Sequence, residues 1–213
     1  MAIPQISPYG LPQPPAVRAA DWQLNVYRAA LLIHDMQNYF IRAYHPDQEP
    51  IRTVIANIAA LADRARSLDI PVFYSAQPPR QHPHQRGLLN EVWGVGMQTA
   101  HDAEIIAPLA PEAGDHVIEK WRYSAFERTC LAGALSYSGR DQLIITGVYG
   151  HMGCQVSAGD AFMKDIQPFL ISDAIADFTR DEHEQALLWV AKRCGVVLPT
   201  RHVFKQLDPA GGE

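Results

Sequence analysis

Two side chains of opposite charge, Asp35 and Lys120, each stand directly after a strand-like run, Ala29 to His34 and His116 to Glu119. An acid at the end of a buried strand can move a proton in a cleft, or it can simply cap the next element. Lys120 precedes Trp121, which reads as a partly buried amine or else as a solvated surface lysine. A third segment, Gly147-Val-Tyr-Gly-His-Met-Gly153, carries glycines that either make tight turns or open backbone amides toward a developing negative charge. His151 inside it is either a polar group at the active edge or a hydrogen-bonded turn residue. His82-Pro-His84 has a spacing that could face zinc, but no neighbouring ligands complete a tetrahedral set, so no metal is expected.

The elements that must position these groups alternate along the chain. Ala29 to His34 is a continuous apolar run, the mark of a strand buried on both faces. Ile51, Val54, Ile55, Ile58, Leu61, Ala62 and Ala65 recur at helical spacing. Further strands are predicted at 70–75, 116–119, 142–146, 168–172 and 195–198, with helices at 126–137, 153–163 and 181–193. Strands and helices in turn imply right-handed crossovers. The expected fold is a single-domain, doubly wound, mainly parallel α/β sheet with helices on both faces. In such a sheet ligands sit beyond the carboxyl ends of the strands, and Asp35, Gln77, Lys120 and the 147–153 turn all fall there.

Two regions break the alternation. Residues 1–27 form a proline-rich arm with Pro4, Pro8, Pro12, Pro14 and Pro15, residues that lack an amide donor and resist helix and inner strand alike. Such an arm is expected to lie across the body or across a partner subunit. From Ala76 to about Ala100 periodicity is weak, while Gln77, Arg86, Trp93, Gly94 and Gly96 are present; connections of this length are often lids or binding loops. The domain proper is placed at 28–206, with 207–213 a short tail too small for a carrier domain.

Composition narrows the partners. Hydrophobic residues make up 47% and charged residues 19% of the 213, which fits a chain with a real core and excludes a disordered tail or a coiled coil. No apolar run approaches the ~18 residues of a membrane span. A net charge of −5 argues against nucleic acid, which calls for a basic face. Three widely spaced cysteines, Cys130, Cys154 and Cys194, make no disulfide framework, and no signal peptide opens the sequence. A reducing, cytoplasmic setting is expected. Cys130 and Cys194 read as interior helical positions.

The segments ALLIHDMQNYF, YSAQP, QRGLLNEVWG, KWRYSAF, ITGVYGHMGC and DIQPFLISDAIADF together resemble the isochorismatases of siderophore and phenazine pathways, over nearly the whole chain. The resemblance implies hydrolysis of the enolpyruvyl vinyl ether of isochorismate to 2,3-dihydro-2,3-dihydroxybenzoate and pyruvate, without metal or organic cofactor. It implies Asp35 as the acid, Lys120 as the active-site lysine and Gly153 as a catalytic position. Phe40, Gln77, Arg86, Trp93, Tyr123 and Tyr149 match substrate contacts, and His151 joins them as a candidate. It further implies a homodimer acting on a small molecule, and a non-proline cis peptide at Tyr149. A vinyl ether resists water until its terminal CH₂ is protonated, so a carboxylic acid beside that carbon makes chemical sense. Arg86 suits a carboxylate, Gln77 offers an amide donor and Trp93 can cover a ring face.

The wider superfamily includes amidases with a cysteine nucleophile seven residues before an aspartate. Counting back from Asp160 gives Gly153 here, and Cys154 lies one place on, turned about 100° away on a helix. Packing is the expected role of Cys154; an amidase using it is the competing function. The amino analogue 2-amino-2-deoxyisochorismate is the competing substrate. Gly150, where relatives carry alanine, is expected to remove a methyl from the pocket wall. Asp173 and Asp177 read as capping or turn residues.

Overall fold

In the computed structural model, which describes residues 3–208, the uninterrupted apolar run Ala29–His34 forms β1, buried at every position. It lies at the middle of a sheet whose other strands are β2 (Val72–Ala76), β3 (His116–Glu119), β4 (Gln142–Val148), β5 (Gln167–Ala176) and β6 (Val196–Leu198). All neighbours pair in parallel, in the order β3-β2-β1-β4-β5-β6. The chain winds outward through β2 and β3, then returns to the centre and winds the other way from β4. The reversal leaves a crevice between the carboxyl ends of β1 and β4, where open α/β sheets hold their ligands.

The longer helices of the crossovers are α2 (Ile51–Ser67), α6 (Leu131–Tyr137), α7 (Gln155–Phe162) and α8 (Arg180–Arg193), and α9 (Thr200–Leu207) follows the last strand. Shorter turns of helix, α1 (Asn38–Ile41), α3 (Pro83–Arg86), α4 (Leu88–Trp93) and α5 (Ala100–Ala103), lie along the crevice side of the loops. Strand alternation sorts the core into two layers. Leu31 and Ile33 pack with Val54, Ile58 and Leu61 of α2 and Val203 of α9. Ala30 and Leu32 pack with Leu131, Ala158 and Leu187 of α6, α7 and α8. His34 continues this second series, so its side chain points toward the start of α7.

The proline-rich segment crosses the body of its own chain. Ile6 N–H donates to Ala43 O and Tyr9 N–H to Glu49 O, and the Ile6 side chain is buried. Tyr9 reaches the far side of the crevice, where its hydroxyl accepts from Asp177 N–H at 2.7 Å.

Several boundaries differ from expectation, each for a local reason. The helix expected from Phe126 begins only at Leu131, because Arg128 adopts a left-handed φ of 60°. Ser124 Oγ and Thr129 Oγ1 meanwhile accept the amides of Phe126 and Leu131. β5 runs four residues past Ser172: Asp173 is tolerated in mid-strand because its carboxylate accepts Thr200 N–H and Oγ1–H, both at 2.7 Å. That same contact caps α9, a helix not foreseen. The 76–100 connection contains α3 and α4 rather than plain loop. Cys130 is exposed ahead of α6, not interior, whereas Cys154 and Cys194 are buried. Residues 209–213 of the expected tail lie outside the described residues. Among the described residues no helix is long and apolar enough to cross a membrane.

Candidate active site

At the crevice, Asp35 follows directly on β1, and its φ of 50° turns its side chain off the strand direction and into a pocket. Asp35 is only 4% exposed and Lys120 2%. Lys120 Nζ stands 2.9 Å from Asp35 Oδ2 and donates to Arg122 O at 2.6 Å. Ser75 Oγ donates to Asp35 Oδ1 at 2.9 Å, and Gln77 Nε2 reaches Oδ2 at 3.4 Å. Both carboxylate oxygens thus face donors, and these charge-assisted contacts fix the direction in which the group points.

The supports of these groups are themselves fixed. Fully buried Gln37 exchanges 2.8 Å hydrogen bonds with the backbone of Gln77, donating to its O and accepting from its N–H. Tyr149 Oη donates to Phe40 O at 3.0 Å, and burial raises its phenol above the ordinary value. The Val148–Tyr149 peptide is cis, as the resemblance implied. Trp93 Nε1 donates to Tyr123 Oη at 2.6 Å, tying α4 to the loop after β3. Gly147 has φ 104°, and a β-carbon there would fall 2.1 Å from His34 O; only glycine lets β4 lie so close to β1.

Arg86 enters from the end of α3. The residue is 5% exposed and lines the pocket, yet no carboxylate among the described residues lies within ion-pair distance of its guanidinium. Its hydrogen-bond partners are Gly94 O at 2.5 Å and Gln81 Oε1 at 3.4 Å. Burial lowers its pKa, a sign that the cation is under-compensated. A β-carbon on Gly96 would stand 2.6 Å from Arg86 Nη1, so that glycine makes room for the guanidinium.

Of the residues singled out from sequence, Asp35, Lys120, Gly153, Phe40 and Gln77 line the pocket, and so do Arg86, Trp93, Tyr123 and Tyr149. His151 does not. It turns away to Asp177, with Nδ1 2.5 Å from Oδ1 and its backbone N–H donating to Oδ2. Burial works against a charged His151 ring, but the Asp177 hydrogen bond and charge outweigh it and raise the pKa. Gly150 likewise faces Asp177 rather than the pocket wall: a β-carbon there would stand 2.7 Å from Asp177 Oδ2. Sequence reasoning missed Ser75, Tyr39, Phe178 and Ile3. Phe178 would have been found had β5 been carried to Ala176, since strand ends were the guide. Ile3 left no periodic signal.

Other chemistries lack support in this geometry. Cys154 is fully buried, its Sγ directed at Thr146 O, and burial raises its thiol pKa well above the ordinary value. His82 and Gln85 form a capping box at the start of α3, which accounts for the His-Pro-His run. Among the described residues His151, Asp177 and Glu182 bring three ligand atoms within 4.8 Å. Asp177 is already engaged there by the His151 ring, His151 N–H and Phe178 N–H.

A doubly wound parallel sheet with a buried acid–lysine pair at its switch point defines an α/β pocket equipped to hold a small ligand beside an acid. Among solved structures, a cysteine hydrolase from Pseudomonas syringae superposes with a TM-score of 0.80, covering 90% of this chain and 96% of that one at 23% identity. The isochorismatase domain model matches residues 29–202. Enterobactin synthase component B of Escherichia coli is 47% identical over 99% of this chain and 75% of its own length. An isochorismatase of Bacillus subtilis is 46% identical over 99% and 68%. Phenazine biosynthesis protein PhzD of Pseudomonas fluorescens is 45% identical over 94% and 98%. The chain belongs to the isochorismatase family.

Proposed function

We propose that this protein hydrolyses the enolpyruvyl vinyl ether of isochorismate, with Asp35 as the proton donor. The observation that carries the reading is the Asp35–Lys120 pair, 2.9 Å apart and nearly sealed from water, beside an arginine with no counter-ion among the described residues. Arg86 takes one substrate carboxylate, exchanging an uncompensated buried charge for a charge-assisted pair. A second carboxylate near Lys120 competes with Asp35 for its field. A like charge at roughly 4 Å is worth about 4 kcal/mol at an effective dielectric of 20, which drives Asp35 to take up a proton.

Protonated Asp35 then gives that proton to the terminal CH₂ of the enol ether. The resulting oxocarbenium ion is captured by water as a hemiketal, which collapses to pyruvate and the dihydrodiol acid. Lys120 steadies the carboxylate that Asp35 becomes, and the aromatic wall of Phe40, Trp93, Tyr149 and Phe178 excludes bulk water. The route needs no reactant beyond substrate and water. Kinship with the phenazine protein supports 2-amino-2-deoxyisochorismate as the alternative substrate for the same steps. The reading extends to a homodimer in the cytoplasm, and sedimentation of the purified protein tests the homodimer.

The deciding experiment mixes protein with isochorismate and follows pyruvate through lactate dehydrogenase, with the amino analogue in parallel. Asp35→Asn, which cannot supply the proton, is expected to lose at least about 10³-fold in kcat. Release of pyruvate by Asp35→Asn at the parent rate sinks the proposal.

A further inference from the structure

A β-carbon built on Gly153 falls 2.1 Å from His34 Cε1 and 2.7 Å from both ring nitrogens. No side chain of any kind fits there while the imidazole stays. The ring has no room to step aside: His34 is 0% exposed, with Nδ1 3.0 Å from Val148 O and Nε2 3.2 Å from Tyr123 O. Counting back seven residues from Asp160, position 153 is also the place that the resemblance assigns to the nucleophilic cysteine of the amidases. We infer that His34 fixes the reaction type of this pocket: its imidazole fills the nucleophile's space, so the site accommodates proton transfer but no covalent catalyst. The inference rests on the acid-catalysis reading above for what the pocket does, and on the His34–Gly153 contact alone for what it excludes.

The contact follows from the sheet. β1 alternation sends Leu32 and His34 to the α7 face, while Asp35 turns into the pocket on its left-handed φ. One strand end therefore delivers both the acid and the block. Burial, with Lys120 close by, holds the ring neutral by pulling its pKa down to about 4 despite Asp35 and the two carbonyls. A neutral imidazole donates one hydrogen bond, and Lys120 Nζ supplies another to Tyr123 O at 3.4 Å. His34 acts as a positioning residue that holds the ends of β4 and the β3 loop against one another.

Under this inference the glycine is not merely a lost cysteine; restoring a thiol requires removing the histidine first. The test uses the full chain carrying Cys130→Ser, because Cys130 is the exposed native thiol. Gly153→Cys and Gly153→Ala are each made alone and together with His34→Ala or His34→Ser. Alone, each is expected to melt about 5–10 °C below its parent from overpacking, and the introduced thiol should resist iodoacetamide. With His34 shortened, the same step should cost less than about 2 °C. The thiol should then take up one equivalent of iodoacetamide, its sulfur displacing iodide while its proton passes to Asp35. Adding Asp35→Asn should slow that alkylation at least about 10-fold, as expected of a thiol placed where the acid can take its proton. Equal tolerance of Gly153→Cys with and without His34 overturns the inference. So does the absence of any His34 variant that accepts Gly153→Cys. Pyruvate release by the parent protein is measured apart from these melts, so the functional reading and this one can fail independently.

Discussion

Replacing Arg86 with methionine should improve the fold while impairing the work. The residue is 5% exposed, and its guanidinium lacks a carboxylate partner among the described residues, resting on a short hydrogen bond to Gly94 O and a long one to Gln81 Oε1. Methionine has similar length and no charge, so Arg86→Met removes the cost of an uncompensated buried cation. The loss of the Gly94 hydrogen bond takes back about 1 kcal/mol. The net expectation is between no change and a gain of about 2 kcal/mol, a rise of up to roughly 8 °C in Tm for a chain of this size. Binding moves the other way. Losing a desolvated charge pair with the substrate carboxylate costs about 3 kcal/mol, or roughly 100-fold in KM. Thermal melts of the free protein and KM from pyruvate release read the two halves separately. A variant that melts several degrees lower with KM unchanged would falsify the reasoning, since Arg86 would then be a structural residue and not a substrate clamp.

Three other outcomes follow from the same geometry. Lys120→Met alone should cost about 3–5 kcal/mol by stranding the buried Asp35 carboxylate, and Lys120→Met with Asp35→Asn should cost less than the sum by about 1–3 kcal/mol. Urea unfolding of the four proteins checks this, and strict additivity contradicts a buried pair. His34 and His183 are both buried and pulled down to about 4, so between pH 6.5 and 4 the unfolded chain binds protons that the folded one refuses. Their stability contribution is complete above pH 6.5 and lost as pH falls toward 4, about 2 kcal/mol each at pH 5, with the raised His151 opposing the trend. A Tm that stays flat from pH 7 to pH 5 contradicts it. Tyr9→Phe removes the hydroxyl that accepts Asp177 N–H in a buried setting, and should lower stability by about 1–3 kcal/mol with kcat nearly kept; an unchanged urea midpoint counts against the contact.

The strands were legible because a parallel sheet covered on both faces demands continuous apolar runs, as in Ala29 to His34, and few other structures do. Strand ends then located Asp35, Gln77, Lys120 and Tyr149 without any side-chain geometry. Legibility failed where a tertiary partner overrode local pattern. Asp173 made β5 look four residues shorter than it is, since its partner, Thr200, lies 27 positions away. Phe126 looked like the start of a helix that Arg128 does not permit. His151 sits at the right edge yet faces Asp177, because the wound Gly150–Cys154 turn sets side-chain direction in a way that spacing does not reveal. His34 was visible beside Asp35, but its bearing on Gly153 exists only across the sheet.

The N-terminal segment ends as part of the cleft: Ile3 touches the pocket, and Ile6 and Tyr9 stitch the stretch behind it to the body. Recombinant handles joined ahead of Ile3 would be tethered beside the pocket that Ile3 lines. Purification tags and fluorophores therefore belong after the last helix, and a cleavable leader should be removed before any turnover is compared between preparations.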